Sequence, residues 1–184
     1  MRLSIDEMVG NLAIAWSQIT PQDLYGGVAW YPAAHDFAFV VGHGDVRKGA
    51  GIVAAMSPNK AWDTNRVLAV DAGNGDFHGH VGNALAKAEA IYNGADPASV
   101  LPMNRKTGHF YMNIYKPLDP NFVTVDRHMI RVLKSAWNEG EPKITLREYD
   151  DCVLAVQKQA ANVGLVPSAF QAILWEWARR EYKG

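Results

Sequence analysis

Residues 101–132 read LPMNRKTGHFYMNIYKPLDPNFVTVDRHMIRV, and the fold turns on how this stretch divides. Phe110 and Ile114 stand four apart with Thr107 and Tyr111 in the neighbouring stripe, the spacing of a core-facing helix over 106–114 that puts Lys106 in its first turn. Lys116, Pro117, Asp119 and Pro120 stop that helix. Phe122-Val123-Thr124-Val125 is an extended, β-branched run, after which Asp126 caps a further helix over 127–137. Spacing alone favours Lys106 as a solvated first-turn lysine and Asp126 as no more than a helix cap.

Leu101-Pro102, Arg105-Lys106-Thr107, the apolar helix and Val125-Asp126-Arg127-His128 with Arg131-Val132 behind it resemble, in that order, the helix-hairpin-helix DNA glycosylases of the endonuclease III type. The resemblance implies an all-α, two-lobed fold in which Lys106 and Asp126 are the catalytic pair and face one cleft, with Arg127 and His128 beside the substrate. It extends more loosely to 52–65 (IVAAMSPNKAWDTN), similar to the family's early helix and turn, and to the tail from Tyr149, but only the central motif is specific. The hairpin departs from the family: its Leu-Pro-Gly-Val-Gly is shortened here to Leu101, Pro102, Met103 and Asn104. Those glycines let backbone N–H groups approach a DNA phosphate, so ordinary duplex anchoring is altered. The loop between Lys106 and Asp126 is longer, and the four-cysteine iron–sulfur loop is missing, so no cofactor is expected.

The chain has 184 residues, 48% hydrophobic and 20% charged, which suits one globular domain over 1–184 or two tightly packed lobes. Its formal net charge of −1 and pI of about 6.6 supply no global positive field, so DNA contact is expected to be local, at Arg105, Lys60 and the turn at Ser57 to Asn59. Cys152 is the single cysteine, which excludes an internal disulfide and suits a reducing, cytoplasmic setting, that of the bacterial host for a phage-encoded protein. Neither a leader sequence nor a membrane span is expected, and the protein is expected to be a monomer.

From the N-terminus, Ser4 with Glu7 forms a capping box, and Ile5, Met8, Val9, Leu12 and Trp16 make one apolar face. A helix beginning at Thr20-Pro21 is expected to break at Gly26-Gly27 and Pro32, leaving Trp30 and Tyr31 at a kink before a separate helix over 31–41. Asp45 caps a helix of small residues running to Met56. After Ser57-Pro58-Asn59 a helix over 60–72 begins, and Asn59, Trp62 and Asn65 are candidates for base or ligand contacts. The irregular run 73–82 carries Asp76, His78 and His80; it reads as a flexible loop rather than a metal site, because a third and fourth ligand are not visible. Helices follow over 83–92, after Asp96-Pro97, from the Thr145/Glu148 capping box to 163, and from Pro167-Ser168 with Gln171 to the basic residues Arg179, Arg180 and Lys183. Trp137 closes the helix after Asp126, and 138–142 is a loop.

Chemistry of the pair would follow from its charges: an aspartate beside an anomeric carbon stabilises positive charge as a base departs, and a neutral lysine can attack that carbon to form a Schiff base. Desolvation or neighbouring cations favour a neutral amine, and Arg105 and Arg127 flank the pair in sequence. A flipped base would need an aromatic and polar pocket, for which Trp30, Tyr31, Asn59 and Trp62 are the candidates. Three functions stay open: a glycosylase, with lyase ability through Lys106, for a damaged or modified base; an enzyme of the bacteriophage branch of the family, which attaches groups to an activated hydroxymethylated pyrimidine in DNA; or a DNA-binding relative without turnover.

Overall fold

Polar side chains just ahead of the first turn cap the start of several of the helices. A computed structural model describes residues 2–136 and 144–182, and within them the chain is all-helical, with ten helices and no strand. They are α1 Ile5–Trp16, α2 Pro21–Val41, α3 Val46–Ala55, α4 Trp62–Gly73, α5 Gly82–Tyr92, α6 Pro97–Val100, α7 Lys106–Tyr115, α8 Arg127–Lys134, α9 Leu146–Asn162 and α10 Pro167–Glu181. Ser4 with Glu7 and Thr145 with Glu148 form reciprocal capping boxes, while Asp45, Asp96 and Asp126 accept from the N–H groups of Lys48, Ala98 and Met129. Each bond satisfies a donor the helix itself leaves orphaned. Trp137, the loop expected at 138–142 and Lys183 lie outside the described residues.

The expected break at Gly26-Gly27 and Pro32 does not occur, because α2 runs through all three as one 21-residue helix. Proline at 32 removes only the bond to the carbonyl of Val28, which lies on an exposed turn. Gly27 has a packing reason instead: a Cβ there would stand 2.3 Å from the Ile173 Cα on α10. α10 also differs from expectation at its start, since Val166 is the N-cap without a side-chain bond, and Gln171 is used elsewhere.

The chain divides into two compact units, Met1–Tyr31 with Leu118–Gly184, and Pro32–Pro117. In the first, α1 packs on α8 and α9, and α10 on the same two helices. Met8 and Leu12 of α1, Met129 and Leu133 of α8, Val156 of α9 and Phe170 and Leu174 of α10 fill its core. Cys152 is buried there, its sulfur 3.8 Å from that of Met8 and its thiol pushed up to about 12 by burial, so it acts as a small apolar side chain. Arg180 forks onto the buried Asp23 through Nε (3.1 Å) and Nη2 (2.9 Å), tying α10 to the start of α2.

In the second unit α3 is central and packs against α4, α5, α6 and α7. Its small residues let it approach closely: a Cβ on Gly49 would lie 1.8 Å from the Ala38 carbonyl oxygen, and one on Gly51 2.7 Å from Pro97. None of the described helices is long and apolar enough to cross a membrane.

Candidate functional site

Asp126 is positioned from both sides in sequence. Before it, Val123 and Val125 point into the core, and the Tyr149 hydroxyl from α9 donates to the Val123 carbonyl (3.1 Å) and accepts from the Val125 N–H (3.3 Å). One side chain thereby bonds to both ends of an extended segment that pairs with no strand among the described residues. After it, Met129, Ile130, Val132 and Leu133 anchor α8 in the core. The carboxylate between these anchors accepts from the Met129 N–H at Oδ1 (3.0 Å) and from the Trp175 indole at Oδ2 (2.9 Å). Burial pushes the Tyr149 phenol well above its ordinary range, so it stays a neutral donor. Tyr149→Phe is expected to cost about 1–3 kcal/mol by removing the acceptor of the buried Val125 N–H, read as a lower urea midpoint, with faster amide exchange at Val125.

Trp175 of α10 is the hub that sequence reasoning missed. Its ring meets Trp30 at 6.0 Å and His128 at 6.3 Å, and the Arg179 guanidinium carbon lies 4.5 Å from its centroid. The apolar stripe of the last helix points to Trp177; Trp175 lies off that stripe, and only the four-residue spacing to Arg179 could have flagged it. Of the predicted residues, Trp30, Tyr31, Asp126 and His128 all belong to this cluster. Tyr31, however, is only 3% exposed, with its hydroxyl donating to Gln171 Oε1 at 2.8 Å and its phenol pushed up by burial. It is a core residue rather than an open wall of a base pocket, because α2 continues through it. Arg127 is exposed at the start of α8.

His128 is half-buried, and burial lowers its pKa below the ordinary imidazole value; the Asp126 carboxylate opposes that shift, and Arg127, Arg131 and Arg179 add to it. Its contribution to stability is complete above the unfolded pKa of about 6.5 and is lost as pH falls through the lower folded value. His128→Gln is therefore expected to flatten the fall in urea midpoint between about pH 7 and pH 5, and an unchanged slope would assign that fall to other groups.

The other predicted residues belong to the second unit. Lys106 is the first residue of α7, half-buried, behind Arg105, an exposed N-cap without a side-chain bond. The turn between α6 and α7 folds back on that helix, so that a Cβ on Gly108 would lie 2.4 Å from Met103 Cα and 2.6 Å from the Pro102 carbonyl oxygen. Arg105 N donates to that same carbonyl at 3.1 Å. Trp62, at the start of α4, packs edge-on to Phe37 (5.9 Å) and Phe110 (6.5 Å), a half-buried aromatic cluster. Asn65 is only 2% exposed and donates to the Val53 carbonyl at 3.3 Å, so it is not the surface base contact its sequence position suggested. It sits on the inward face of α4, with its Oδ1 lacking a partner.

The 57–60 turn remains accessible at Asn59, whose φ of 58° is left-handed, while the Ser57 hydroxyl donates to Ala54 O (2.9 Å) and Lys60 N to Ser57 O (3.2 Å). The run 73–82, expected to be a flexible loop, is fastened to this turn by His80. Its Nε2 lies 2.9 Å from the Pro58 carbonyl, and its Nδ1 accepts from Val81 N–H at 2.8 Å, which fixes the tautomer with Nε2 as donor. His78 turns to Asp71 (3.1 Å) instead. Among the described residues no group of three or more His, Cys, Asp or Glu side chains converges as for a metal ion.

The fold is thus all-helical, with its capped aspartate on one unit and its first-turn lysine on the other. The chain belongs to a family of unknown function, DUF7178, which it matches over residues 1–182. No curated protein and no solved structure matches it.

Proposed function

We propose that the protein is a DNA glycosylase acting on a damaged or modified base, with Asp126 stabilising the positive charge that develops at the anomeric carbon and Lys106 serving as the amine nucleophile of a lyase step. The observation that carries this reading is the setting of Asp126. Its carboxylate is fixed by two N–H donors, yet a carboxylate has about four acceptor positions, so lone pairs remain for a substrate. A helix-turn-helix whose second helix begins with Lys106 adds to the support. In the glycosylase–lyase reaction the Lys106 Nζ bonds to the anomeric carbon as the bond to the base breaks with its electron pair leaving on the base, and the nitrogen loses a proton; the C1′–O4′ bond then opens with its pair going to O4′, which takes up a proton, and the protonated Schiff base so formed loses a C2′ proton and expels the 3′ phosphate.

A second reading, attachment of a group to a hydroxymethylated pyrimidine in DNA, is favoured by the turn at 101–105. It has no glycine, and the backbone of Pro102 and Met103 is packed against Gly108. The test is mass spectrometry of nucleosides, with borohydride trapping, after incubation with duplexes carrying damaged or hydroxymethylated bases. Free base together with a trapped adduct is the expected result. A nucleoside of altered mass, formed when an activated substrate and a donor amine are supplied, would replace it with the second reading. Bound DNA with neither product would leave a binding protein.

A further inference from the structure

We propose that Arg127, Arg131 and Arg179, together with the His128 imidazole, form a phosphate-binding cluster on the first unit. The pairing of most other described cations of that unit motivates it, Arg147, exposed on α9, being the exception. Arg2 is bonded to Asp151, Lys158 to Asp6, Lys134 to Glu148 and Arg180 to Asp23. Arg127, Arg131 and Arg179 form no ion pair among the described residues; Arg127 and Arg131 stand on either side of His128 in α8, and Arg179 lies over the Trp175 ring that His128 meets. Arg127 and Arg131 are one turn apart on α8, a like-charge spacing that destabilises a helix unless an anion lies between them. The Arg131 Nε is buried without a hydrogen-bond partner. Stacking holds the Arg179 guanidinium on the same Trp175 ring that the His128 imidazole meets edge-on. Asp126 is the one carboxylate acting on that imidazole, and both of its oxygens already accept N–H bonds. Three planar guanidinium groups with free donors suit the tetrahedral oxygens of a phosphate.

The shared chemistry is a phosphate group, borne by a nucleic-acid strand or free in solution. Only the strand as its source rests on the DNA reading above; the cluster itself does not depend on base chemistry. Two measurements on the whole protein test it. In the first, the salt dependence of binding to a fluorescein-labelled duplex is compared between wild type and Arg127→Gln, Arg131→Gln and Arg179→Gln. Each is expected to weaken binding several-fold and to lower the log–log salt slope by about one. Lys158→Gln, a charge-matched change at a residue paired with Asp6, is expected to leave the slope alone. Equal losses from Lys158→Gln, or none from the three arginine variants, overturn the proposal.

The second needs no variant to fold. The His128 ring is titrated by NMR in chloride, in inorganic phosphate at equal ionic strength and with the duplex. Phosphate bound to the arginines offsets their charge, so the imidazole midpoint rises. A rise with inorganic phosphate identifies free phosphate as sufficient, and a rise with duplex alone identifies the strand; no rise with either overturns the cluster. Failure of the catalytic reading is distinguishable, since Asp126→Asn removes a negative charge and leaves the arginine-dependent slope in place.

Discussion

Asp126→Asn is expected to cut turnover by at least about a hundredfold, the scale of losing a charged group at the reacting centre, while the protein stays folded and still binds DNA. The asparagine oxygen can accept from the Met129 N–H, and asparagine is as good an N-cap as aspartate. Its amide NH₂ then faces the Trp175 indole N–H, donor against donor, so a stability loss of about 1–2 kcal/mol accompanies the change. Trp175→Phe supplies the control: it removes that indole donor without removing the charge. If Asp126→Asn lowers stability as Trp175→Phe does and turnover stays intact, Asp126 is a cap and nothing more. Lys106→Gln separates the chemistries. Loss of borohydride trapping assigns the amine as nucleophile, whereas full activity with Asp126 essential points to attack by water or by an external amine.

The parts of the fold legible in the sequence are those decided within one helical turn. Ser4 with Glu7, Thr145 with Glu148, and Asp45 and Asp126 each bond a backbone group three residues away, and residue type at that spacing shows the pairing. What was not legible depends on residues far apart in the chain. Tyr149 fixes 123–125 across more than twenty residues, His80 fixes the 57–60 turn across a similar gap, and Trp175 reaches Asp126 from the last helix. Nothing local distinguishes those side chains from core aromatics or loop histidines. The candidate site divides in the same way: Asp126 and Lys106 are found by motif and local spacing, but Tyr31 and Asn65 read as polar contacts until their burial is seen. The Tyr31 hydroxyl and the Asn65 Nδ2 donate to partners in the core that the sequence does not pair with them.

Adjacent glycines in α2 are expected to respond to the same one-carbon change with opposite signs. A helix with two adjacent glycines in its second turn gives up about 1 kcal/mol at each relative to alanine, so the pair looks like a break unless packing demands it. Packing demands only one of them. At Gly26 an added Cβ would meet the Glu176 side chain at 3.5 Å, ordinary contact with a flexible group, so Gly26→Ala is expected to stabilise by up to about 1 kcal/mol. At Gly27 the same Cβ would stand 2.3 Å from Ile173 Cα and 2.4 Å from its backbone nitrogen, atoms that cannot rotate away. Ile173 is fully buried, so relieving the clash means moving α10, and with it Trp175 and Gln171. Gly27→Ala should therefore destabilise by about 3 kcal/mol or more, at the upper end of overpacking costs. Urea denaturation of the two variants decides it: midpoints shifted in opposite directions are expected, and equal shifts would mean that glycine at 27 serves backbone flexibility rather than the approach of α10. Loss of the Trp175 to Asp126 bond in the Gly27 variant would also move the fluorescence of Trp175, which the Gly26 change should leave as in wild type.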